Sequence, residues 1–129
     1  MNKIRLILAS NSKWRKEIIN MAGLSCEQIA SSGDPEIEFY SPDEYVEKLS
    51  LAKALDVSNK VDDGIIIGAD TIGYLAGKAF EKPKTREEAF QNFKELSGKV
   101  NYAVTGVTII DKYKNKVITF SEKVKVYFN

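Results

Sequence analysis

Four groups of polar residues in this chain are placed where they could handle an anion. The first is the stretch Ile7-Leu8-Ala9-Ser10-Asn11-Ser12-Lys13-Trp14-Arg15. An apolar run ends in hydroxyl residues, and a helix carrying Arg15 begins at once. Hydroxyls, the free N–H groups of a first helical turn and a guanidinium meet at one corner, which suits a phosphate. The same pattern also reads as an ordinary N-cap with a solvated arginine, although the helix dipole disfavours a cation at that end.

The second is Asp70, at the carboxyl end of the apolar run Ile65-Ile66-Ile67-Gly68-Ala69. Ligands of open α/β sheets bind beyond such strand ends, and a carboxylate there can hold a divalent metal or take a proton from water. It can equally cap a turn with Thr71. The third is Lys53, which shares one helix face with Val46, Leu49 and Val57 by its spacing. It either snorkels to water or points at an anion in a cleft. The fourth is Glu81-Lys82-Pro83, where Pro83 holds Lys82 extended and fixes its direction. Lysines in that setting grip phosphate or simply edge a loop.

Composition narrows the chemistry. The chain has no histidine, which removes histidine-based triads, metal sites and acid–base steps. Carboxylates, lysines, arginine and a bound metal are left. Walker A and G-x-G-x-x-G patterns are absent. A net charge of +1 gives no bulk attraction to nucleic acid or membrane. Cys26 is the one cysteine, so no internal disulfide is expected, and without a secretory pattern the expected compartment is the cytoplasm. No apolar run approaches the ~18 residues of a membrane span. A length of 129 residues fits one domain with its own core. Lys112, Lys114 and Lys116 read as a solvated turn.

The elements that must position these residues follow from local signals. Ile4–Ala9 reads as a buried strand. Lys13–Met21 reads as a helix capped by Ser12, with Gly23 past its end. Cys26–Ala30 reads as a short strand, and 31–40 as a loop marked by Gly33-Asp34-Pro35. Ser41-Pro42-Asp43-Glu44 is a capping box that starts a helix running to about Val57. Asp62-Asp63-Gly64 turns into the strand Ile65–Ala69. Thr71–Phe80 reads as a hairpin with turn signals at Gly73 and Gly77. Thr85-Arg86-Glu87-Glu88 opens a helix ending near Ser97-Gly98, where Gly98 suits a left-handed cap. Val100–Ile110 and Lys116–Phe128 read as two long strands around the turn Asp111–Asn115. This alternation predicts an α/β fold, a mixed central sheet flanked by helices. The last strand either lies at a sheet edge or belongs to something longer.

Taken together these blocks resemble the Maf family of nucleotide pyrophosphatases, also known as septum formation inhibitors. The matching blocks are Leu8-Ala9-Ser10-x-Ser12-x-x-Arg15, Ala52-Lys53-Ala54, Gly68-Ala69-Asp70-Thr71 with Lys82-Pro83, and Leu96-Ser97-Gly98 with Val104-Thr105-Gly106-Val107. The resemblance implies the fold of the inosine triphosphate pyrophosphatases (Maf/Ham1), with a cleft between two lobes. It implies hydrolysis of a nucleoside triphosphate to the monophosphate and pyrophosphate with a divalent metal, Mg2+ or Mn2+. On this resemblance Asp70 is the general base and a metal ligand, with Glu36 as a second ligand. Lys53 and Lys82 serve the reacting phosphates, and Ser10, Ser12 and Arg15 grip them.

Departures from the family pattern bear on the substrate. Trp14 replaces an arginine and resembles the branch acting on 7-methyl-GTP, whose cationic base could stack on the indole. Thr71 resembles the branch acting on dTTP and UTP, which is preferred because it adjoins Asp70. Asn101 stands where the family has a histidine, and Gly33 where it has a carboxylate. The family's Gly-rich C-terminal part is absent from the match, which covers the N-terminal portion of the family domain. A homodimer is expected by the same resemblance. The alternative from another class is a non-catalytic nucleotide-binding regulator of septum formation.

Overall fold

A computed structural model describes residues 4–32, 35–75, 78–80, 85–96 and 100–127. The elements are β1 (Leu6–Leu8), α1 (Lys13–Met21), β2 (Glu27–Gln28), α2 (Pro42–Ser58), β3 (Ile65–Leu75), β4 (Lys78–Phe80), α3 (Arg86–Leu96), β5 (Val100–Asp111) and β6 (Lys116–Tyr127). The expected α/β architecture is present, with the helices and strands close to their predicted places. The sheet order is β2-β1-β3-β5-β6, with β4 also paired to β3. β1 runs parallel to β2 and β3, whereas β3 is antiparallel to β4 and β5, and β5 to β6. The sheet is therefore mixed, and among the described residues β6 is its last strand beyond β5. Gly77, Gly98 and Phe128 lie outside the described residues.

The local signals act as read. Ser12 and Ser41 take extended backbones and accept hydrogen bonds from Arg15 N and Glu44 N. Thr85 Oγ1 accepts from Glu88 N in the same way at α3. Gly23 follows α1 with φ of +83°, a conformation that favours glycine.

One boundary differs. β3 does not stop at Ala69 but continues through Asp70 and Thr71 to Leu75. The reason is non-local: β5 pairs with it from Ile65↔Asp111 to Tyr74↔Tyr102, so the ladder stays satisfied where the apolar run ends. Asp70 is thus a mid-strand residue, not a strand-end cap. It does lie beyond the carboxyl end of β1, whose register with β3 ends at Leu8↔Ile67.

Helix α2 packs on one face of the sheet in two places. Ile7, Ala9, Ala54, Val57, Ile66 and Ile110 form one cluster, and Val46, Ile72 and Val104 a second. The close approach depends on two glycines. A Cβ at Gly68 would lie 2.5 Å from Ser50 O, and one at Gly106 would lie 2.2 Å from Val46 O. Between them Ser50 Oγ donates to Glu47 O at 2.9 Å and contacts Thr108 Oγ1 at 3.0 Å. Lys112, expected in a solvated turn, instead donates to Ser58 O and Val61 O at 2.6 Å each. The β5–β6 turn lies by the end of α2, where helical carbonyls lack intrahelical partners.

Candidate active site

The geometry of the site follows from one edge of β3, which β1 and β4 share among the described residues. Because β5 occupies one side of β3 throughout, β1 and β4 must share the other. β1 covers it as far as Ile67, where Ala9 N donates to Ile67 O. β4 takes over at Gly73↔Phe80. Among the described residues no strand covers Gly68 to Ile72 on that side. Ile65 N and Ile67 O face this edge, so by alternation Ala69 and Thr71 also turn their backbone groups towards the opening.

Neighbouring side chains of a strand point to opposite faces, and this divides the site in two. Asp70 lies between Ile66 and Ile72 on the face covered by α2. There its Oδ1 meets Lys53 Nζ at 2.7 Å, and the two side chains are only 17% and 16% exposed. Lys53 therefore does not snorkel to solvent. The apolar stripe of α2 carries it over the sheet, and the glycine contacts at 68 and 106 bring it within reach. A largely desolvated ion pair of this kind can orient a carboxylate and leave positive charge nearby.

Thr71 faces the opposite side. Arg15 Nη2 approaches its Oγ1 at 3.4 Å, and Thr71 Oγ1 lies 2.9 Å from Thr105 Oγ1. The same arginine belongs to the β1–α1 corner. Ser12 Oγ accepts from Arg15 N at 3.2 Å, and Ser10 Oγ accepts from Ser12 N at 3.0 Å. Both hydroxyl oxygens thus accept backbone protons, and each O–H keeps its own proton to donate. Gln28 secures the corner: its amide donates to Ser10 O at 3.2 Å and to Ser12 O at 3.1 Å. Sequence reading passed over Gln28 and Thr105. Gln28 carried no signal beyond its place in a short strand, whereas Thr105 stood in a matching block without a role.

The structure thus brings Lys53 to Asp70 and Arg15 to Thr71, with Ser10 and Ser12 at the corner from which Arg15 reaches. Trp14 is 67% exposed on α1, beside Arg15 in sequence. Glu36 is exposed on the segment after residue 35. Lys82, Pro83 and Gly33 lie outside the described residues, as does the side chain of Asn101. Among the described residues no group of three or more Cys, Asp or Glu could hold a metal by itself, and no helix is long and apolar enough to cross a membrane.

Comparison with known proteins bears on the family and the fold. The model of a family described as Maf-like protein matches residues 5–129. A dTTP/UTP pyrophosphatase of Thermosipho africanus is 41% identical over 125 residues, covering 97% of this chain and 63% of that protein. Proteins of the same name from Bacillus anthracis and Alkaliphilus oremlandii are 40% and 41% identical, with 64% and 66% of their lengths covered. The chain thus spans less than two thirds of the length of these relatives. The solved structure of the Staphylococcus aureus Ham1 protein superposes with a TM-score of 0.66 over 94% of this chain and 70% of that one, at 12% identity. That likeness concerns the fold.

Proposed function

The chain belongs to the Maf-like protein family, and on that premise we propose that it is a nucleoside triphosphate pyrophosphatase acting on dTTP or UTP. The observation that carries this reading is the half-sequestered Lys53–Asp70 pair on β3, beyond the carboxyl end of β1. The names of the relatives and the place of Thr71 next to Asp70 favour the pyrimidine nucleotides.

In this reading the triphosphate lies across the opening. Ser10 and Ser12 hydroxyls and the Arg15 guanidinium bind its oxygens, and Lys82 adds a further cation. Asp70 takes a proton from the attacking water, whose oxygen bonds to phosphorus as the bond between the α- and β-phosphates breaks. Pyrophosphate leaves with the bonding electron pair. Lys53 holds the Asp70 carboxylate in place for that transfer. Preorganised charge of this kind lowers the barrier because it needs no rearrangement as the transition state forms.

A divalent cation would be held by Asp70 and Glu36. With two carboxylates from the protein, such an ion would take its other oxygens from phosphate and water, as Mg2+ commonly does. When bound it neutralises phosphate charge.

The test is a panel of nucleotides, including dTTP, UTP and 7-methyl-GTP, with Mg2+ or Mn2+ and a pyrophosphate assay. Release from dTTP and UTP is expected. Preference for 7-methyl-GTP would move the assignment to the exposed Trp14 ring. Nucleotide binding without release from any member of the panel would replace the enzyme by a binding regulator.

A further inference from the structure

The peptide groups at the end of β1 are shared between its two neighbours, β2 and β3. Leu8 O accepts from Ile29 N at 3.0 Å on the β2 side, and Ala9 N, in the same peptide, donates to Ile67 O at 2.8 Å on the β3 side. A trans peptide always divides its groups in this way, because its C=O and N–H point in opposite directions.

Beyond Ala9 no strand is left to orient the backbone from the β2 side, since β2 ends at Gln28. The Gln28 side chain takes over. Its amide nitrogen lies 3.2 Å from Ser10 O and 3.1 Å from Ser12 O. The direction of these bonds is fixed by their partners. A carbonyl oxygen only accepts, so the nitrogen end of the amide faces both, with one proton for each. Ser12 O also accepts from Lys16 N at 3.3 Å. Ser10 O has no other donor among the described residues.

With these carbonyls drawn to Gln28, the N–H groups of the same two peptides, at Asn11 and Lys13, point away from it. The Asn11 N–H thereby continues the alternation of β1 towards β3, where Arg15 reaches Thr71. The N–H groups of Ser12 and Arg15 are spent on Ser10 Oγ and Ser12 Oγ. Those of Asn11 and Lys13 have no acceptor among the described residues. A Ser10 peptide released from Gln28 is free to rotate and to present its oxygen, not the Asn11 N–H, to an anion.

We infer that Gln28 is a positioning residue for the phosphate corner, pinning Ser10 O and Ser12 O so that the Asn11 and Lys13 N–H groups face the phosphate oxygens of the nucleotide. The inference rests on the nucleotide reading of the same corner. Gln28 acts through the backbone of that corner, so its effect falls on binding. A side chain that only tied β2 to its neighbours would contribute stability alone, as Glu27 does through Arg5 one residue earlier.

The experiment compares Q28M and E27Q with the unmodified protein. Q28M keeps the length of the side chain and removes both donated protons. E27Q loosens β2 from the opposite face of the strand. KM and kcat for dTTP with Mg2+ are measured, with inhibition by inorganic tripolyphosphate and the melting temperature with and without tripolyphosphate. Q28M should raise KM and weaken tripolyphosphate inhibition, each about fivefold, the size of one net hydrogen bond. The kcat should change little, because Asp70 and Lys53 meet on the other face of β3 from Thr71. E27Q should lower the melting temperature slightly and leave KM and inhibition unchanged. Unchanged KM and inhibition in Q28M overturn the assignment, as does an equal rise of both in E27Q. If Q28M does not fold, Q28A carries the same comparison. Should the unmodified protein bind tripolyphosphate without turnover, the enzyme reading fails. A smaller tripolyphosphate-dependent melting shift in Q28M then upholds the role of Gln28, and an equal shift overturns it. If the unmodified protein shows neither turnover nor such a shift, both fall together.

Discussion

Gly106 stands opposite Asp70 in the β3–β5 ladder, and Val46 of α2 occupies the space its side chain would need. A Cβ there would meet Val46 O at 2.2 Å and Val46 C at 2.3 Å. These are backbone atoms of a helix, so they cannot swing aside as a side-chain end could. G106A should therefore push α2 off the sheet and draw Lys53 away from Asp70. Overpacking of this sort costs about 1–3 kcal/mol. A lower urea midpoint with a fall in pyrophosphate release is expected. Stability and activity equal to those of the unmodified protein would show that α2 does not need this contact.

Asp70 itself separates chemistry from binding. Asn in its place keeps the size and an oxygen that can still accept from Lys53 Nζ, now 2.7 Å from Asp70 Oδ1, but it cannot take a proton from water. D70N should lower kcat at least about 100-fold, the lower range for loss of a general base. It should retain a dTTP-dependent rise in melting temperature. If turnover survives in D70N, the proton goes elsewhere and the role given to Asp70 is wrong.

What could be read from the chain depended on how local the cause was. Ser12 and Ser41 mark their helices because a capping oxygen and the N–H it receives are three residues apart. Lys53 was visible as a break in an apolar stripe, but its partner lies 17 residues on, and no spacing rule links the two. Local signals divide Ile65–Ala69 from the Thr71–Phe80 hairpin because polar and glycine residues interrupt the apolar pattern there, whereas the structure joins them through Asp70 into one strand. The ladder that holds it comes from β5, more than 30 residues later. Lys112 sits in a charged turn by its local sequence, and its acceptors are 54 and 51 residues away. A fold class emerges from many local signals together, whereas a polar contact between distant elements needs the fold first.

The amino end of the sheet offers a pH test. Arg5 donates to Glu27 through Nε and Nη2 and to Asp63 through Nη1, each at 2.9 Å. The hydrogen bonds from the Arg5 guanidinium hold the Glu27 carboxyl below the usual glutamate range. A carboxyl depressed in the folded state contributes stability above its unfolded value, about 4.3, and that contribution is lost as pH falls through the folded value. E27Q should accordingly melt below the unmodified protein at pH 7, and the gap should close as pH drops below about 4. Both partners are exposed, so the gap will be small. A gap of the same size at pH 3 would mean that the ion pair is not its source.

Lys112 provides the control that keeps stability and site apart. Helix α2 has no basic residue in its last turn, and its final carbonyls carry the negative end of the helix dipole. The Lys112 ammonium, brought in by the β5–β6 turn, meets Ser58 O and Val61 O at 2.6 Å. K112M keeps much of the apolar stem and removes both charged hydrogen bonds. A cost of about 1–2 kcal/mol is expected, read as a lower urea midpoint with an unchanged slope. Amide exchange should quicken at Asn59 and Lys60, whose N–H groups bond back to Leu55 O and Val57 O. Lys53 lies more than a turn upstream, held over the sheet by the contacts at Gly68 and Gly106, so KM for dTTP should stay within about twofold. If K112M instead raises KM as strongly as G106A does, α2 moves as one rigid body. Its C-terminal anchor and the two glycine contacts would then set the Lys53–Asp70 distance jointly.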